Sequence, residues 1–297
     1  MKIANSPCSW GVLEFELDGE APGYAQVLDE MHQIGYVGTE LGDWGFMPTD
    51  AKCLRAELAA RELKMLGAFV GVALADEGTH DAGEAFALRH ARLVADAAGK
   101  TPFIVLSDDN ATTKLRTRYA GRIRPEHGLT PAQWGTFIQG AHRIARSVRE
   151  ETGLRTVFHP HCAGYVEAPA EVDALMERTD PSLIGLCFDT GHYRFGGGDP
   201  IEAYIRHAER VWHVHFKDCH PDVAARSRKD EWDYFESVGN GVFCELGKGD
   251  VDFPAFLAEL RKRNYNGWIV VEQDVLPGMG SPYESAERNL RYLNSIV

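Results

Sequence analysis

The sequence of 297 residues predicts an α/β fold, a (β/α)8 TIM barrel that forms a single domain over residues 1–297. Eight short apolar runs have the composition of buried strands, and amphipathic segments separate them. No linker, repeat array or low-complexity tract marks a second domain. Strand and helix signals that alternate along a chain are typical of repeated βα units. Eight such units in a chain of this length favour a closed barrel.

The predicted strands are short runs in which apolar residues, many of them β-branched or aromatic, dominate. They are Lys2–Asn5, Tyr36–Glu40, Lys64–Val72, Phe103–Leu106, Thr156–His159, Ile184–Asp189, Val211–Phe216 and Trp268–Glu272. A doubly wound sheet is less well supported, because no Gly-x-Gly-x-x-Gly motif follows the first strand. In addition, polar residues end many of the strands and are not gathered at one switch point.

The predicted helices carry apolar residues at positions i, i+3 and i+4, which place them on one face. They are Gly23–Gln33, Leu54–Arg61, Ala85–Ala98, Pro131–Glu150, Ala168–Glu177 and Phe253–Arg263. Thr130 and Asp252 are predicted helix starts, because each supplies a capping oxygen close to a proline.

Two long insertions interrupt the βα period, Ser107–Thr130 after the fourth strand and Asp218–Lys248 after the seventh. Long βα loops lie on the catalytic face of a barrel. We therefore expect the insertions to cover a bound ligand. Their arginine and aromatic side chains are the candidates for closing over it: Arg116, Arg118, Arg122, Arg124, Trp232, Tyr234 and Phe235.

Composition and charge restrict the class of protein. With 44% hydrophobic and 25% charged residues, the chain has the composition of a soluble globular protein. We expect a cytoplasmic protein without membrane contact, because no signal-peptide pattern and no apolar run of the roughly 20 residues that span a bilayer is present. The six cysteines form no CxxC pair and are expected to be reduced. A formal net charge of -13 opposes binding to nucleic acid and favours a small molecule as the partner.

Ionisable residues end four successive predicted strands in the second half of the chain. These residues are His159, Asp189, His215 and Glu272. Such side chains are costly to bury unless they are paired or bind a cation. The carboxyl ends of the strands meet at the mouth of a barrel, and converging imidazole and carboxylate groups are typical of a divalent metal site. The four residues are therefore the predicted metal ligands.

Two of these positions leave alternatives open, because residues two apart on a strand face the same side. His213 shares the parity of His215, and we assign His215 as the ligand because it lies nearer the strand end. His161 shares the parity of His159. We assign His159 as the ligand and His161 as a substrate contact, and the reverse assignment is the alternative.

Glu40 and Lys217 are further candidate catalytic residues. Glu40 ends the second strand between Gly38 and Gly42, and glycines let the backbone approach a ligand closely. The alternative role of Glu40 is to hold Lys217 or a metal-bound water. Lys217 follows His215 and either polarises a substrate oxygen or neutralises nearby carboxylates.

Four segments carry a family resemblance: Ser6–Gly11, Gly38–Gly45, the run from His159 through Asp189-Thr190-Gly191-His192 to Asp218, and Trp268–Asp274. Together they resemble inosose dehydratases, members of the xylose-isomerase-like sugar phosphate isomerase/epimerase superfamily of metal-dependent barrels. The likeness spans nearly the whole chain. The Asp-Thr-Gly-His motif is common to the superfamily, whereas the second and the last segment narrow the likeness toward inosose dehydratases.

The resemblance implies a metal held by Glu, Asp, His and Glu from strands five to eight. Asp189, His215 and Glu272 match the last three positions, whereas His159 stands where relatives carry the first Glu. Glu167, just downstream, is therefore another candidate for the strand-five ligand. His192 matches a position that contacts the substrate or a second metal in relatives.

The function that the resemblance implies is that of a metal-dependent hydro-lyase of inositol catabolism. It would dehydrate a keto-cyclitol of the 2-keto-myo-inositol type through an enolate, which a metal acting as Lewis acid would stabilise. We predict Glu40 as the base and His161 or His192 as the acid that protonates the departing hydroxyl. The metal is Mn, Co, Zn or Mg, with Mn or Co favoured, and members of the superfamily often form homodimers or homotetramers.

Two alternative functions use the same metal and enolate chemistry, a sugar isomerase or epimerase and a 3-keto-glycoside eliminase. The histidine at strand five argues against a ketose epimerase, in which two opposed glutamates are ligands and proton shuttles. A non-catalytic sugar-binding or partner-binding barrel is disfavoured by the retained ionisable residues. A metal-dependent DNA endonuclease is disfavoured by the net charge of -13.

Overall fold

Parallel strands form a closed barrel in the computed structural model, which describes residues 1–12, 22–110, 112–276 and 278–297. The barrel strands are β1 (Lys2–Asn5), β2 (Gly38–Glu40), β3 (Lys64–Val72), β4 (Phe103–Asp108), β5 (Arg155–Phe158), β6 (Ile184–Asp189), β7 (Val211–Phe216) and β10 (Trp268–Val271). Their order around the barrel is β1, β10, β7, β6, β5, β4, β3 and β2. A separate antiparallel pair consists of β8 (Asp218–Cys219) and β9 (Phe243–Cys244). The fold class predicted from the sequence is confirmed.

The predicted strand ends agree closely with the barrel. Strands β1, β3, β6 and β7 have the predicted limits. Strand β4 extends two residues further than predicted, because Ser107 and Asp108 pair with Gly71 and Val72 of β3. Strand β2 is shorter than predicted and begins at Gly38.

Helices surround the barrel. They are α1 (Tyr24–Ile34), α2 (Ala51–Ala60), α3 (His80–Ala98), α4 (Lys114–Tyr119), α5 (Pro131–Thr152), α6 (Pro169–Arg178), α7 (Thr190–Phe195), α8 (Pro200–His207), α9 (Pro221–Asp230), α10 (Tyr234–Gly239), α11 (Phe253–Lys262) and α12 (Pro282–Ile296). In the described ranges, no helix has the length and apolar character needed to cross a membrane.

The six predicted helices correspond to α1, α2, α3, α5, α6 and α11, with shifted ends. Both predicted caps are confirmed, because Thr130 Oγ1 accepts a hydrogen bond from Gln133 N at 3.3 Å and Asp252 Oδ1 accepts one from Ala255 N at 3.0 Å. Helices α4, α7, α8, α9, α10 and α12 are additional to the prediction. Helix α12 packs against α1 next to the junction of β1 with β10, where the barrel closes.

Alternate residues of each strand face the inside of the barrel, and this alternation continues up to its mouth. Val105, Val157 and Cys187 form a buried apolar layer within the barrel. His159 and Asp189 lie two residues further along from Val157 and Cys187 and therefore face the same side. The side chains of His159 and Asp189 thus lie directly above these apolar residues, whereas His213 is level with Cys187.

Two arginines join the insertions after β4 and β7 to their surroundings. The fully buried Arg116 donates to both carboxylate oxygens of Glu171 at 2.8 and 2.7 Å and to the Gly164 carbonyl at 2.7 Å. Arg122 donates to the Trp232 carbonyl at 2.6 Å, which connects the two insertions. These guanidinium groups therefore hold the cover of the barrel mouth in place, a different role from the ligand contact that we expected of them.

Replacing Arg116 by methionine is expected to lower the free energy of unfolding by about 3–5 kcal/mol, because Glu171 then lies partly buried without its cation. Urea denaturation followed by circular dichroism measures this change. Arg118 is exposed on the same helix, and Arg118→Met is the matched control, with an effect within about 0.5 kcal/mol. Equal effects of the two substitutions would show that the Arg116–Glu171 pair does not stabilise the insertion.

Candidate metal centre and active site

Four buried side chains meet at the carboxyl ends of β5, β6, β7 and β10. His159 Nε2 lies 3.8 Å from Asp189 Oδ2, and His215 Nδ1 lies 4.0 Å from the same oxygen and 3.2 Å from Glu272 Oε1. One ligand atom from each of the four residues lies within 4.8 Å of every other. We call this group the four-residue cluster. It consists of the four ligands predicted from the sequence.

The hydrogen bonds of the cluster fit a bound cation. Asp189 Oδ1 accepts from the backbone N of His192 at 2.7 Å and so caps α7. Asp189 Oδ2 and His215 Nδ1 are buried, and within the described part of the chain they form no hydrogen bond. A divalent ion between two imidazoles and two carboxylates would satisfy these atoms, and this donor set suits Mn, Co or Zn. The residues present therefore fit a metal.

Glu40 lies behind His215 at the end of β2. Its Oε1 is 2.6 Å from His213 Nε2 and 3.1 Å from His215 Nε2. Burial favours the protonated form of this carboxyl, but the charge of His215 and the hydrogen bonds from both imidazoles outweigh it and lower the pKa of Glu40 to about 2. With Nε2 of His215 directed at Glu40, Nδ1 faces the cluster. A carboxylate in this position orients a ligating histidine and fixes its tautomer.

The alternatives for the strand-five ligand lie outside the cluster. Glu167 accepts hydrogen bonds from Gly121 N at 2.6 Å and from Ala163 N at 2.9 Å, and burial raises its pKa to about 7. His161 directs Nδ1 at the Cys162 carbonyl, 2.7 Å away, and lines the cleft above the cluster. The geometry therefore favours His159, which immediately follows β5, as the strand-five ligand.

Lys217 lies at the edge of the cluster and is buried. Its Nζ is 3.3 Å from Glu272 Oε2, 3.1 Å from Asp274 Oδ1 and 3.1 Å from His192 Nε2. The ring of Phe243 lies 4.8 Å away. Burial opposes the charge of the ammonium group, but Asp274 and Glu272 outweigh it and hold the pKa of Lys217 well above its usual value.

The Asp189-Thr190-Gly191-His192 motif both supplies a ligand and fixes Lys217. Thr190 Oγ1 accepts from the backbone N of Lys217 at 3.1 Å and donates to its carbonyl at 2.7 Å. A Cβ on Gly191 would lie 2.6 Å from Lys217 Cγ, so only glycine leaves room for this side chain. His192 then contacts Nζ. Its ring is buried, and burial together with the neighbouring charges of His161 and Lys217 holds its pKa well below the usual value.

A cleft opens above the cluster. Of the aromatic residues expected in the cover, Tyr234 lines this cleft, and its ring centroid lies 5.8 Å from that of His161. Several residues that also line the cleft were not predicted from the sequence. They are Ser6, Cys8, Asp43, Phe69 and Asp274. Asp274 lies two residues beyond Glu272 at the end of the last strand, and this spacing is the signal that would have identified it.

A model of the xylose isomerase-like TIM barrel family matches residues 23–296, which is nearly the whole chain. The chain belongs to the xylose isomerase-like TIM barrel family. Membership confirms the family resemblance that the sequence motifs indicated.

This family member is 33% identical over 298 residues to an inosose dehydratase of Geobacillus kaustophilus (strain HTA426), and the match covers 100% of this chain and 94% of the relative. Among solved structures it resembles the 3-keto-D-glucoside 4-epimerase YcjR from E. coli, with 17% identity, a TM-score of 0.71 and 99% of each chain covered. It also resembles the IolI protein solved with a zinc atom, with 14% identity, a TM-score of 0.72 and coverage of 100% and 98%. At these identities the two structures establish the fold alone.

Removal of the strand-five ligand is expected to abolish tight binding of Mn²⁺. In isothermal titration calorimetry of the metal-free protein, His159→Ala should lose the binding isotherm, because one of the converging nitrogen donors is absent. His161→Ala and Glu167→Gln should retain it, since both side chains lie outside the cluster. Loss of binding in His161→Ala with retention in His159→Ala would reverse the ligand assignment.

Replacement of Glu40 by glutamine is expected to lower the affinity for Mn²⁺ by about 10–100-fold, because His215 loses the carboxylate that orients it. Equilibrium dialysis with metal analysis measures the affinity. Glu245 is a matched control, since it is a buried carboxylate that binds Lys248 and Arg288 away from the cluster. Equal affinities of Glu40→Gln and Glu245→Gln would contradict the orienting role of Glu40.

Proposed function

We propose that this protein is a metal-dependent hydro-lyase that removes water from a keto-cyclitol of the 2-keto-myo-inositol type. The observation that carries the proposal is the buried cluster of two imidazoles and two carboxylates on the floor of a cleft. The full-length likeness to a protein named inosose dehydratase supports the choice of substrate class. Elimination from a ketone requires an electrophile for the ketone oxygen, a base for the neighbouring C–H bond and an acid for the departing hydroxyl.

The electrophile is a divalent metal ion that His159, Asp189, His215 and Glu272 would hold. When bound, it supplies Lewis acidity toward the ketone, and this acidity makes the neighbouring C–H bond easier to deprotonate. The mixed nitrogen and oxygen donors favour Mn or Co over Mg.

His161 is the group that moves the proton. A carbonyl oxygen can only accept a hydrogen bond, so the 2.7 Å contact with the Cys162 carbonyl places the proton of the neutral imidazole on Nδ1. The other ring nitrogen, Nε2, then carries a lone pair. It can take the α-proton from carbon and return it to the β-hydroxyl, which leaves as water while a carbon–carbon double bond forms. The α-hydroxyl on this double bond makes the product an enol, which tautomerises to the dicarbonyl compound.

This assignment differs from the base predicted from the sequence. Glu40 accepts hydrogen bonds from His213 and His215, and we propose that it orients His215 instead of abstracting the proton. Lys217 lines the cleft and can donate to a substrate oxygen that gains negative charge. His192 lies behind the cleft wall, where its ring packs on His161 at a centroid distance of 3.9 Å. We therefore assign His192 to positioning His161 and Lys217.

The proposal is tested by incubating metal-stripped protein with 2-keto-myo-inositol and Mn²⁺, Co²⁺, Zn²⁺ or Mg²⁺ in turn. The expected product has a dicarbonyl absorbance and a mass reduced by one water, and Mn²⁺ or Co²⁺ should restore the highest rate. His161→Asn should bind the metal normally and form product about 10²–10⁴-fold more slowly. An isomeric product of unchanged mass would overturn the elimination and favour an epimerase or isomerase.

A further inference from the structure

Asp274 contacts the ammonium group of Lys217 from outside the four-residue cluster. It lies three residues beyond the end of β10 and is 4% exposed. Its Oδ1 lies 3.1 Å from Lys217 Nζ, and both residues line the cleft. None of the sequence motifs described above assigns a role to this carboxylate.

Gln273, the residue before Asp274, is anchored by two hydrogen bonds. Ser9 Oγ accepts from the backbone N of Gln273 at 3.2 Å, and the Gln273 side chain accepts from Asn289 Nδ2 of α12 at 2.9 Å. The loop after β10 is thereby tied to the segment after β1 and to the last helix. Asp274 is consequently presented to Lys217 by a fixed segment.

The other two polar contacts of Lys217 differ from Asp274, because Glu272 is part of the metal cluster and His192 is not a carboxylate. Glu272 belongs to the cluster, and its Oε1 lies 3.2 Å from His215 Nδ1, so its charge is shared with the metal ligands. His192 carries no formal charge when its ring is neutral, and its Nδ1 already accepts a hydrogen bond from the backbone N of Cys162 at 3.3 Å. Asp274 provides a carboxylate whose place is independent of the cluster, and a hydrogen bond between charged groups is stronger than one to a neutral acceptor.

We propose that Asp274 is a positioning residue that holds the Lys217 ammonium group at the edge of the metal cluster, where it donates to an oxygen of the bound substrate. The role in turnover rests on the proposed dehydration. The placement of Lys217 does not depend on the proposed dehydration, and it can be measured without substrate. Asp274 itself touches Lys217 and acts through it.

The placement is tested by the reactivity of Lys217 in the metal-free protein. Acetic anhydride labelling, with the modified lysine quantified by mass spectrometry, compares the wild type with Asp274→Asn. Loss of the contact with the Asp274 carboxylate should raise the labelling rate of Lys217 by roughly tenfold or more, as expected for loss of a charged hydrogen bond. Asp274→Glu should restore slow labelling, and Glu245→Gln should leave it unchanged.

The role in turnover is tested by a double-mutant cycle with Asp274→Asn, Lys217→Met and the double variant. Lys217→Met should lower kcat by about 10²–10³-fold, as does removal of a donor to a developing oxyanion. Asp274→Asn should lower kcat with KM nearly unchanged, and the double variant should be no slower than Lys217→Met. Affinity for Mn²⁺, measured by titration calorimetry, should be retained in Asp274→Asn.

Unchanged labelling of Lys217 in Asp274→Asn overturns the proposal, whatever the activity. Additive losses of kcat in the cycle also overturn it, because they would show that Asp274 does not act through Lys217. If the wild type fails to dehydrate a keto-inositol, the proposed function fails, while the labelling comparison still decides whether Asp274 holds Lys217.

Discussion

The mutual neutralisation of buried charge at the mouth of the barrel is the constraint on which the rest of the site depends. Glu40, Asp189 and Glu272 are at most 8% exposed, and an isolated carboxylate at such a depth would cost several kcal/mol. Each has a compensating partner. Glu40 binds two imidazoles, Glu272 lies between His215 and Lys217, and Asp189 keeps one oxygen for the helix cap and one for the cluster. A metal would complete this balance at the atoms that lack a hydrogen bond.

The barrel makes this balance possible because it brings the ends of distant strands together. Glu40 and His215 are separated by 175 residues, yet they meet because β2 and β7 belong to one closed barrel and both side chains point into its interior. The Asp189-Thr190-Gly191-His192 motif adds a local constraint. Asp189 is a predicted ligand, and the Thr190 hydroxyl forms hydrogen bonds with the backbone N and carbonyl of Lys217. The apolar layer beneath the site strengthens every charge interaction above it, because it excludes water from one side.

The sequence predicted the parts of this site that depend on strand parity. Residues such as His159 and Asp189 could be identified because an ionisable side chain at the end of an apolar run is unusual whatever its partners are. The hydrogen bonds between Glu40 and the histidines of β7, and the contact of Lys217 with Asp274, could not be predicted in the same way. They depend on the closure of the barrel and on side-chain conformations across it, which no local pattern encodes. The arginines of the insertion after β4 show the same limit, since Arg116 binds Glu171 of α6 and not a ligand.

The asymmetry of the cleft favours elimination over epimerisation. In the proposed mechanism the imidazole of His161, whose Nδ1 is engaged by a carbonyl, accepts and then returns the proton. The cleft also contains the Lys217 ammonium group, which Asp274 and Glu272 hold in its charged form. Epimerisation requires proton transfer on both faces of one carbon, and a held ammonium group is a poor acceptor for a proton. Elimination requires only that a proton leave carbon and reach an oxygen while negative charge on the substrate is stabilised, and we propose that His161 and Lys217 supply those two functions.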